Sequence, residues 1–325
     1  MKKILSILLI LTCILSFTAC SGNKNNKVVI YSSAEDFRNE YILKRLKEQF
    51  PKYDIALQYQ STGNNAAKLK SEGKSTECDI VLGLESGYME LLSDNFAKLD
   101  SYDNAKYINE MKISSDKYAI WERYSGTIVI NKKVLQEKGL PVPKSYNDLL
   151  DPKYKDLIAM PNPKASGTGY IFLKSIVNAM GEEKAFQYFD SLSKNVLQFT
   201  SSGSGPVKLL VSGEIGIGLG LTLQAVKEIN DGVNLELIQF SEGLPYTTTG
   251  FGIIEGKQNK QATKDVFNYL YSTLINEDKD KYSPEQIFEG QTIKVENYPK
   301  EIKYSNMDGI RDLKEKDRLL AKWKY

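Results

Sequence analysis

Between Lys27 and Gly83, short apolar runs alternate with stretches whose apolar residues recur at helical spacing. Residues 27–33 (KVVIYSS) read as a strand that ends in hydroxyls. Residues 35–50 follow, with Phe37, Tyr41, Leu43, Leu46 and Phe50 near the helical repeat. Pro51 stops that helix. Residues 54–59 form a second strand, 65–72 a short helix and 79–83 a third strand. This order predicts a parallel sheet with helices on both faces. Ligands of such sheets sit beyond the carboxyl ends of the strands. Those ends are Ser32-Ser33, Ser61-Thr62-Gly63-Asn64 and Gly83-Leu84-Glu85-Ser86-Gly87, which are rich in small and polar residues.

The pattern returns further along. Residues 118–132 (YAIWERYSGTIVINK) form a long β-rich stretch. Strand signals follow at 157–160, 198–200, 215–219 and 235–238, with helical signals at 170–180, 186–192 and 207–211. Past Tyr246 one more β-segment (251–254) precedes mostly helical sequence. There is no tandem repeat of sequence, yet each half repeats the architecture of polar, glycine-rich strand ends.

The first residues are not fold. Lys2 and Lys3 precede an apolar run that ends at Phe17-Thr18-Ala19-Cys20. That run is shorter than the about 20 apolar residues a membrane span needs. A basic start, a short apolar core and a small-residue exit make an export signal. The cysteine after Ala19 makes it resemble a bacterial lipoprotein signal, which implies cleavage of residues 1–19 and lipidation of Cys20. Residues 20–27 then read as a polar tether, and the expected address is the outer face of the cell membrane. Loss of Cys13 with the signal and lipidation of Cys20 leave Cys78 without a disulfide partner. It opens an apolar strand and reads as a packed structural thiol.

Composition removes several classes of activity. The chain has no histidine, so imidazole bases, Ser-His-Asp triads and imidazole metal cages are excluded. With 43 Lys+Arg against 41 Asp+Glu it lacks the basic excess of a nucleic-acid binder. No cofactor motif stands out.

At this point the chain resembles the solute-binding lipoproteins of bacterial ABC importers, in the branch that holds ferric-ion, thiamine, phosphonate and sugar-phosphate binders. The resemblance rests on Val29-Ile30-Tyr31-Ser32-Ser33, Cys78-Asp79-Ile80-Val81 and Thr127-Ile128-Val129-Ile130-Asn131-Lys132. It continues through Pro143-Lys144-Ser145-Tyr146-Asn147-Asp148-Leu149, the run 162–170 (NPKASGTGY), Gly213-Glu214-Ile215-Gly216-Ile217-Gly218 and Leu319-Leu320-Ala321-Lys322-Trp323. It implies an α/β fold of two doubly wound lobes joined by two crossing strands, as in type II periplasmic binding proteins. Residues 28–124 and 247–325 would make the first lobe and 125–246 the second. A monomer tethered by lipid would capture a small solute and pass it to a permease driven by ATPase subunits.

Two stretches of the second half suit an anion. Ser166-Gly167-Thr168-Gly169 precedes a helix, whose first N–H groups are free and whose dipole end is positive. An ordinary helix cap explains the same residues. Ser201-Ser202-Gly203-Ser204-Gly205-Pro206 repeats the design, with proline at the helix start. Thr222 and Gln224 stand where related ferric binders place adjacent tyrosines, and helix capping accounts for them equally well. Ser32, Ser33, Gly63 and Glu85 at strand ends, with Tyr124 and Tyr246 at the crossings, complete the expected ligand set. Tyr31, Tyr59, Tyr88 and Trp121 are further candidates for stacking, and Arg123 or Lys164 for pairing with an anion. No residue set is assigned to a metal.

These features rank a phosphorylated or phosphonate small molecule first, a ferric ion or chelate second, and thiamine or a polyamine third. A different class, an exported hydrolase built on Ser166 and Lys164, matches no established spacing. An adhesin or scaffold lipoprotein would bind no small ligand.

Overall fold

The computed structural model describes residues 25–100 and 102–325. The export signal, Cys20 and tether residues 20–24 lie outside them. Among the described residues no helix is long and apolar enough to cross a membrane.

Strand β1 (Lys27–Ser32) lies between β2 (Asp54–Tyr59) and β3 (Ile80–Glu85), parallel to both. Five of its six residues are buried, as a strand covered on both faces requires. Helix α1 (Asp36–Gln49) turns Ile42 and Leu46 inward and stops two residues before Pro51. Helix α2 (Thr62–Glu72) starts three residues earlier than the sequence pattern suggests, with Ser61 at its cap. The polar end of β2 is therefore already the first turn of a helix.

After the short α3 (Ser86–Leu91) the chain reaches β4 (Ala119–Asn131), a strand of 13 residues that belongs to both halves. Its first half pairs antiparallel with β9 (Tyr246–Ile253). Its second half pairs with β7 (Ile217–Leu221) on one side and β8 (Leu235–Ile238) on the other. The hand-over falls between Ser125, which faces Tyr246, and Gly126, which faces Leu221. Beyond it lie α4 (Lys132–Glu137), β5 (Ile158–Pro161), α5 (Gly167–Met180), α6 (Glu182–Leu192), β6 (Val196–Thr200), α7 (Gly205–Ser212) and α8 (Thr222–Asn230). The described sheet runs β2-β1-β3-β9-β4-β7-β5-β6, with β8 also on β4. The expected parallel pairing holds for β1 with β2 and β3, and for β5 with β6 and β7. Pairs made through β4 and β9 are antiparallel, because these strands carry the chain out of one lobe and back.

Each lobe has its own core. Val29, Val81, Trp121 and Phe251 belong to the first; Ile130, Phe172, Phe189 and Trp323 belong to the second. Helices α9 (Gln261–Tyr269) and α10 (Ile275–Lys281) cover the first lobe through Val266 and Ile275. The resemblance implies that all of 247–325 belongs to that lobe. In the structure Tyr298 packs with Leu221 and Leu223, and α11 (Leu313–Lys322) buries Leu319 in the second core. Just beyond it, the ring of Trp323 meets Phe189 and Phe199 edge-on within the second core.

Candidate functional site

The carboxyl ends of the strands in both lobes open on one cleft, which holds a cavity of about 320 Å³. The first lobe supplies Ser33 after β1, Ser61 and Thr62 after β2, and Gly83 and Glu85 from β3. The second supplies Ser166–Thr168 before and within α5, Ser201–Ser204 before α7, and Gln224 on α8.

Gly83 shows how sequence sets this geometry. Its φ is +72°, in the left-handed region that only glycine adopts freely. The pairing of β3 with β9 slips between Leu82 and Leu84, a bulge that offsets the alternation of side chains. Beyond the bulge, Glu85 lines the cleft.

The two loops of the second lobe meet. A Cβ added to Gly203 would overlap Thr168 Oγ1, so the loops close up only because residue 203 lacks a side chain. Neither α5 nor α7 has a side-chain cap bond or an acidic residue in its first turn. The positive dipole ends are thus not compensated by the helices' own side chains; the first N–H groups of α5 are open, whereas at α7 the Gly205 N–H donates to the Ser202 carbonyl at 3.2 Å and Pro206 has no N–H. Ser202 Oγ and Ser204 Oγ stand 3.2 Å apart, and Thr200 Oγ1 donates to the Ser202 carbonyl at 2.9 Å, which shapes the loop. Lys208 on α7 adds positive charge to the same cavity; Lys227 on α8 lines it as well, with its ammonium paired to Asp231 and Glu228.

The opposite wall is acidic. Glu35, Asp36 and Glu40 line it from the start of α1, and Glu122 from β4. Behind them the buried Arg38 guanidinium lies 2.9 Å from Glu35, 2.7 Å from Glu122 and 2.6 Å from Asp278. Burial raises the Glu35 carboxyl above its ordinary range; Arg38 opposes the shift and Glu122 adds to it. Burial, then the carboxylates of Glu85 and Glu122, push the Tyr124 phenol well up, so this side chain in the cleft stays a neutral hydroxyl.

Of the residues singled out from sequence, Ser33, Tyr59, Glu85, Tyr124, Ser166, Gly167, Thr168, Ser201, Ser202, Gly203, Ser204 and Gln224 line the cavity. Others of the expected ligand set do not. Ser32 points the other way along β1, donating to Asn39 Oδ1 at 2.6 Å. Gly63 is exposed on α2 with open space around it. Gly169 backs against Pro161 and Asn162, where a side chain would clash. Thr222 is fully buried, its hydroxyl 2.8 Å from Ser125 Oγ. Tyr246 packs on Tyr304, with ring centroids 4.8 Å apart.

Other candidates are also accounted for. Arg123 pairs with Glu110 at 3.2 Å and lies over the Tyr304 ring. Lys164 donates to the Trp323 carbonyl at 2.8 Å, which occupies the amine that a hydrolase would need beside Ser166. Tyr31 and Trp121 are core residues, and Tyr88 packs against that core. Cys78 is buried, donates to the Ile80 carbonyl, and has its thiol pushed well up by burial. The acidic wall and the two lysines escaped the sequence reading. Asp36 and Glu40, one helical turn apart directly after the Ser32-Ser33 strand end, were the available signal.

Two α/β lobes whose strand ends face each other across a solute-sized cleft define a periplasmic-type binding protein. Residues 76–307 match the model of the bacterial extracellular solute-binding protein family, and the chain belongs to that family. It is accordingly a solute-binding component of the ABC-importer type, working outside the cytoplasm with a small solute and a membrane permease. An uncharacterised protein of Haemophilus influenzae is 28% identical over 250 residues, covering 74% of this chain and 71% of that protein. The periplasmic binding protein AfuA from Actinobacillus pleuropneumoniae, solved with exogenous fructose-6-phosphate bound, superposes with a TM-score of 0.77 at 23% identity, over 91% of this chain and 97% of that one. The apo ferric ion-binding protein A of Pasteurella haemolytica superposes with a TM-score of 0.72 at 18% identity, over 91% and 96%. Both structural likenesses are likenesses of fold.

Proposed function

We propose that the cleft captures a phosphorylated or phosphonate small molecule, and that the protein does so as a lipid-anchored monomer without catalysing a reaction. The observation that carries this reading is the meeting of Thr168 and Gly203 in one cavity, at the starts of two helices that have no acidic residue in their first turns. Deprotonated phosphoryl oxygens only accept hydrogen bonds. Backbone N–H groups and the hydroxyls of Ser166, Thr168 and Ser202 supply donors. Lys208 supplies countercharge.

A second reading is a ferric ion carried as a chelate: Tyr59 and Tyr124 line the cavity beside the acidic wall, while among the described residues no three acidic or thiol side chains are grouped to hold a bare ion. Carboxylates are hard donors that suit ferric iron, and the two tyrosines would offer hydroxyls to the oxygens of its chelator. A thermal-shift panel separates the two. It contains fructose 6-phosphate, glycerol phosphate, 2-aminoethylphosphonate, inorganic phosphate, ferric citrate, thiamine and spermidine. A ligand at 100 times its Kd adds about 2.7 kcal/mol, which for a chain of this size is several degrees at about 2–4 °C per kcal/mol. Stabilisation by phosphorus compounds, weakened in Ser166→Ala, supports the first reading. Stabilisation by ferric citrate alone, with a visible charge-transfer band, replaces it with the second.

A further inference from the structure

Glu85 is only 6% exposed, yet its two oxygens are treated differently. Oε2 accepts from Lys316 Nζ at 2.7 Å. Lys316 is itself 3% exposed and lies 4.7 Å and 4.6 Å from the centres of the Tyr88 and Tyr170 rings, so the pair is held in place from both lobes. Oε1 is buried and has no hydrogen-bond partner. It lies against Gly167 on the cavity wall, close enough that a Cβ there would overlap it, with the Tyr124 hydroxyl beside the same point.

A buried carboxylate oxygen accepts and cannot donate, and leaving it unpaired is costly. A deprotonated phosphoryl oxygen set against it would oppose acceptor to acceptor and charge to charge. A hydroxyl or ammonium at the same point would satisfy it. The cleft is divided in the same sense, with Lys208 and the hydroxyl-rich loop before α7 on one wall and Glu35 and Glu122 on the other. Resting on the phosphate reading above, we infer that Glu85 selects phosphorus compounds bearing a hydrogen-bond donor away from the phosphoryl group, and disfavours bare oxyanions. The phosphoryl group then lies toward Ser201–Ser204, and the hydroxyl or ammonium faces Glu85 Oε1.

The test is calorimetric titration of the full chain and of Glu85→Gln with four compounds. Glycerol 3-phosphate offers hydroxyls, 2-aminoethylphosphonate an ammonium, and methylphosphonate and inorganic phosphate no such donor on a carbon chain. The wild type should bind at least one donor-bearing compound tenfold or more tighter than methylphosphonate. In Glu85→Gln that advantage should vanish while methylphosphonate binds as well as before or better. Which donor compound loses more tells hydroxyl from ammonium. An equal loss for all four, or no loss for any, overturns the role of Glu85 and leaves the phosphate reading intact. Binding of none of the four by the wild type overturns the phosphate reading instead. Should Glu85→Gln fail to fold, Glu85→Asp keeps the charge pair with Lys316 and draws the free oxygen back from the cavity, and the same selective loss is expected.

Discussion

One methyl group tests whether the two hydroxyl-rich loops act together. In Gly203→Ala the added Cβ meets the Thr168 side chain and must push the loops apart. Such overpacking costs about 1–3 kcal/mol, and it falls where the phosphoryl group is placed. Titration with a phosphorus ligand should show at least a tenfold loss of affinity, larger than the fall in denaturation midpoint alone would suggest. Gly63→Ala is the control, because space around that residue is open. Replacing an exposed helical glycine recovers at most about 0.5–1 kcal/mol, so this variant should be neutral or slightly stabilised with binding unchanged. A tenfold loss in the control would refute the placement of the site. These two glycines also show what is legible at this scale. Density of glycine and hydroxyl at a strand end marks the turn, so Ser166–Thr168 and Ser202–Gly203 could be read from sequence. Which neighbour faces the cleft depends on strand alternation, so Ser32 and Ser33 could not be told apart. Lys208 and Lys227 look like any lysines on an exposed helix face until α7 and α8 are set beside the cleft.

Between elements, buried ionic groups tie α1, β4 and α10 together, and their pH dependence has a definite sign. Burial alone would raise the Asp278 carboxyl, but the charges of Arg38 and Lys279 outweigh it and hold the carboxyl low. Its stabilising effect is therefore present above the ordinary aspartate value of about 3.9 and is lost as pH falls through the depressed one. Asp278→Asn leaves Arg38 short of a partner and should cost about 3–5 kcal/mol at neutral pH, with a smaller cost near pH 3. Glu285 behaves oppositely. It accepts from Ser125 Oγ at 2.6 Å and from the hydroxyls of Tyr298 and Tyr304 at 2.7 Å each. Burial nonetheless outweighs these donors and raises its carboxyl. Its contribution is full below the ordinary glutamate value of about 4.3 and is lost as pH rises through the raised one. Melting curves from pH 4 to pH 8 should thus turn progressively in favour of Glu285→Gln over the wild type. A difference that stays flat or reverses with pH would show that the tyrosine hydrogen bonds, not burial, govern this group. Apolar periodicity announced the parallel units, but nothing local announces a bond between Arg38 and a carboxylate 240 residues away.

At the scale of the whole molecule, the question is whether two cores joined by two strands melt as one. The chain has two tryptophans. Trp121 lies in the first core, 5.2 Å from Phe251, and Trp323 in the second, 5.0 Å from Phe189. Trp121→Phe and Trp323→Phe each leave a fluorophore that reports on one lobe. Independent melting would be the simple expectation for lobes linked only by β4 and β9. The segment after α10 adds a third connection, because it packs α11 on the second lobe and sends Lys316 back to Glu85 in the first. Glu85 and Lys316 are both nearly fully buried, so separating the lobes exposes a matched pair, while removing one member strands the other charge. In urea, the emission of either single-tryptophan variant should therefore fall at the same denaturant concentration as the far-ultraviolet dichroism. Introducing Lys316→Met into each variant removes the third connection and leaves Glu85 unpaired. The two emission midpoints should then move apart, with the Trp121 signal, on the side that retains the stranded carboxylate, falling first. Midpoints that stay together in the presence of Lys316→Met would assign the coupling to the paired strands alone. Midpoints already separate without it would mean that α11 closes the second core but does not join it to the first.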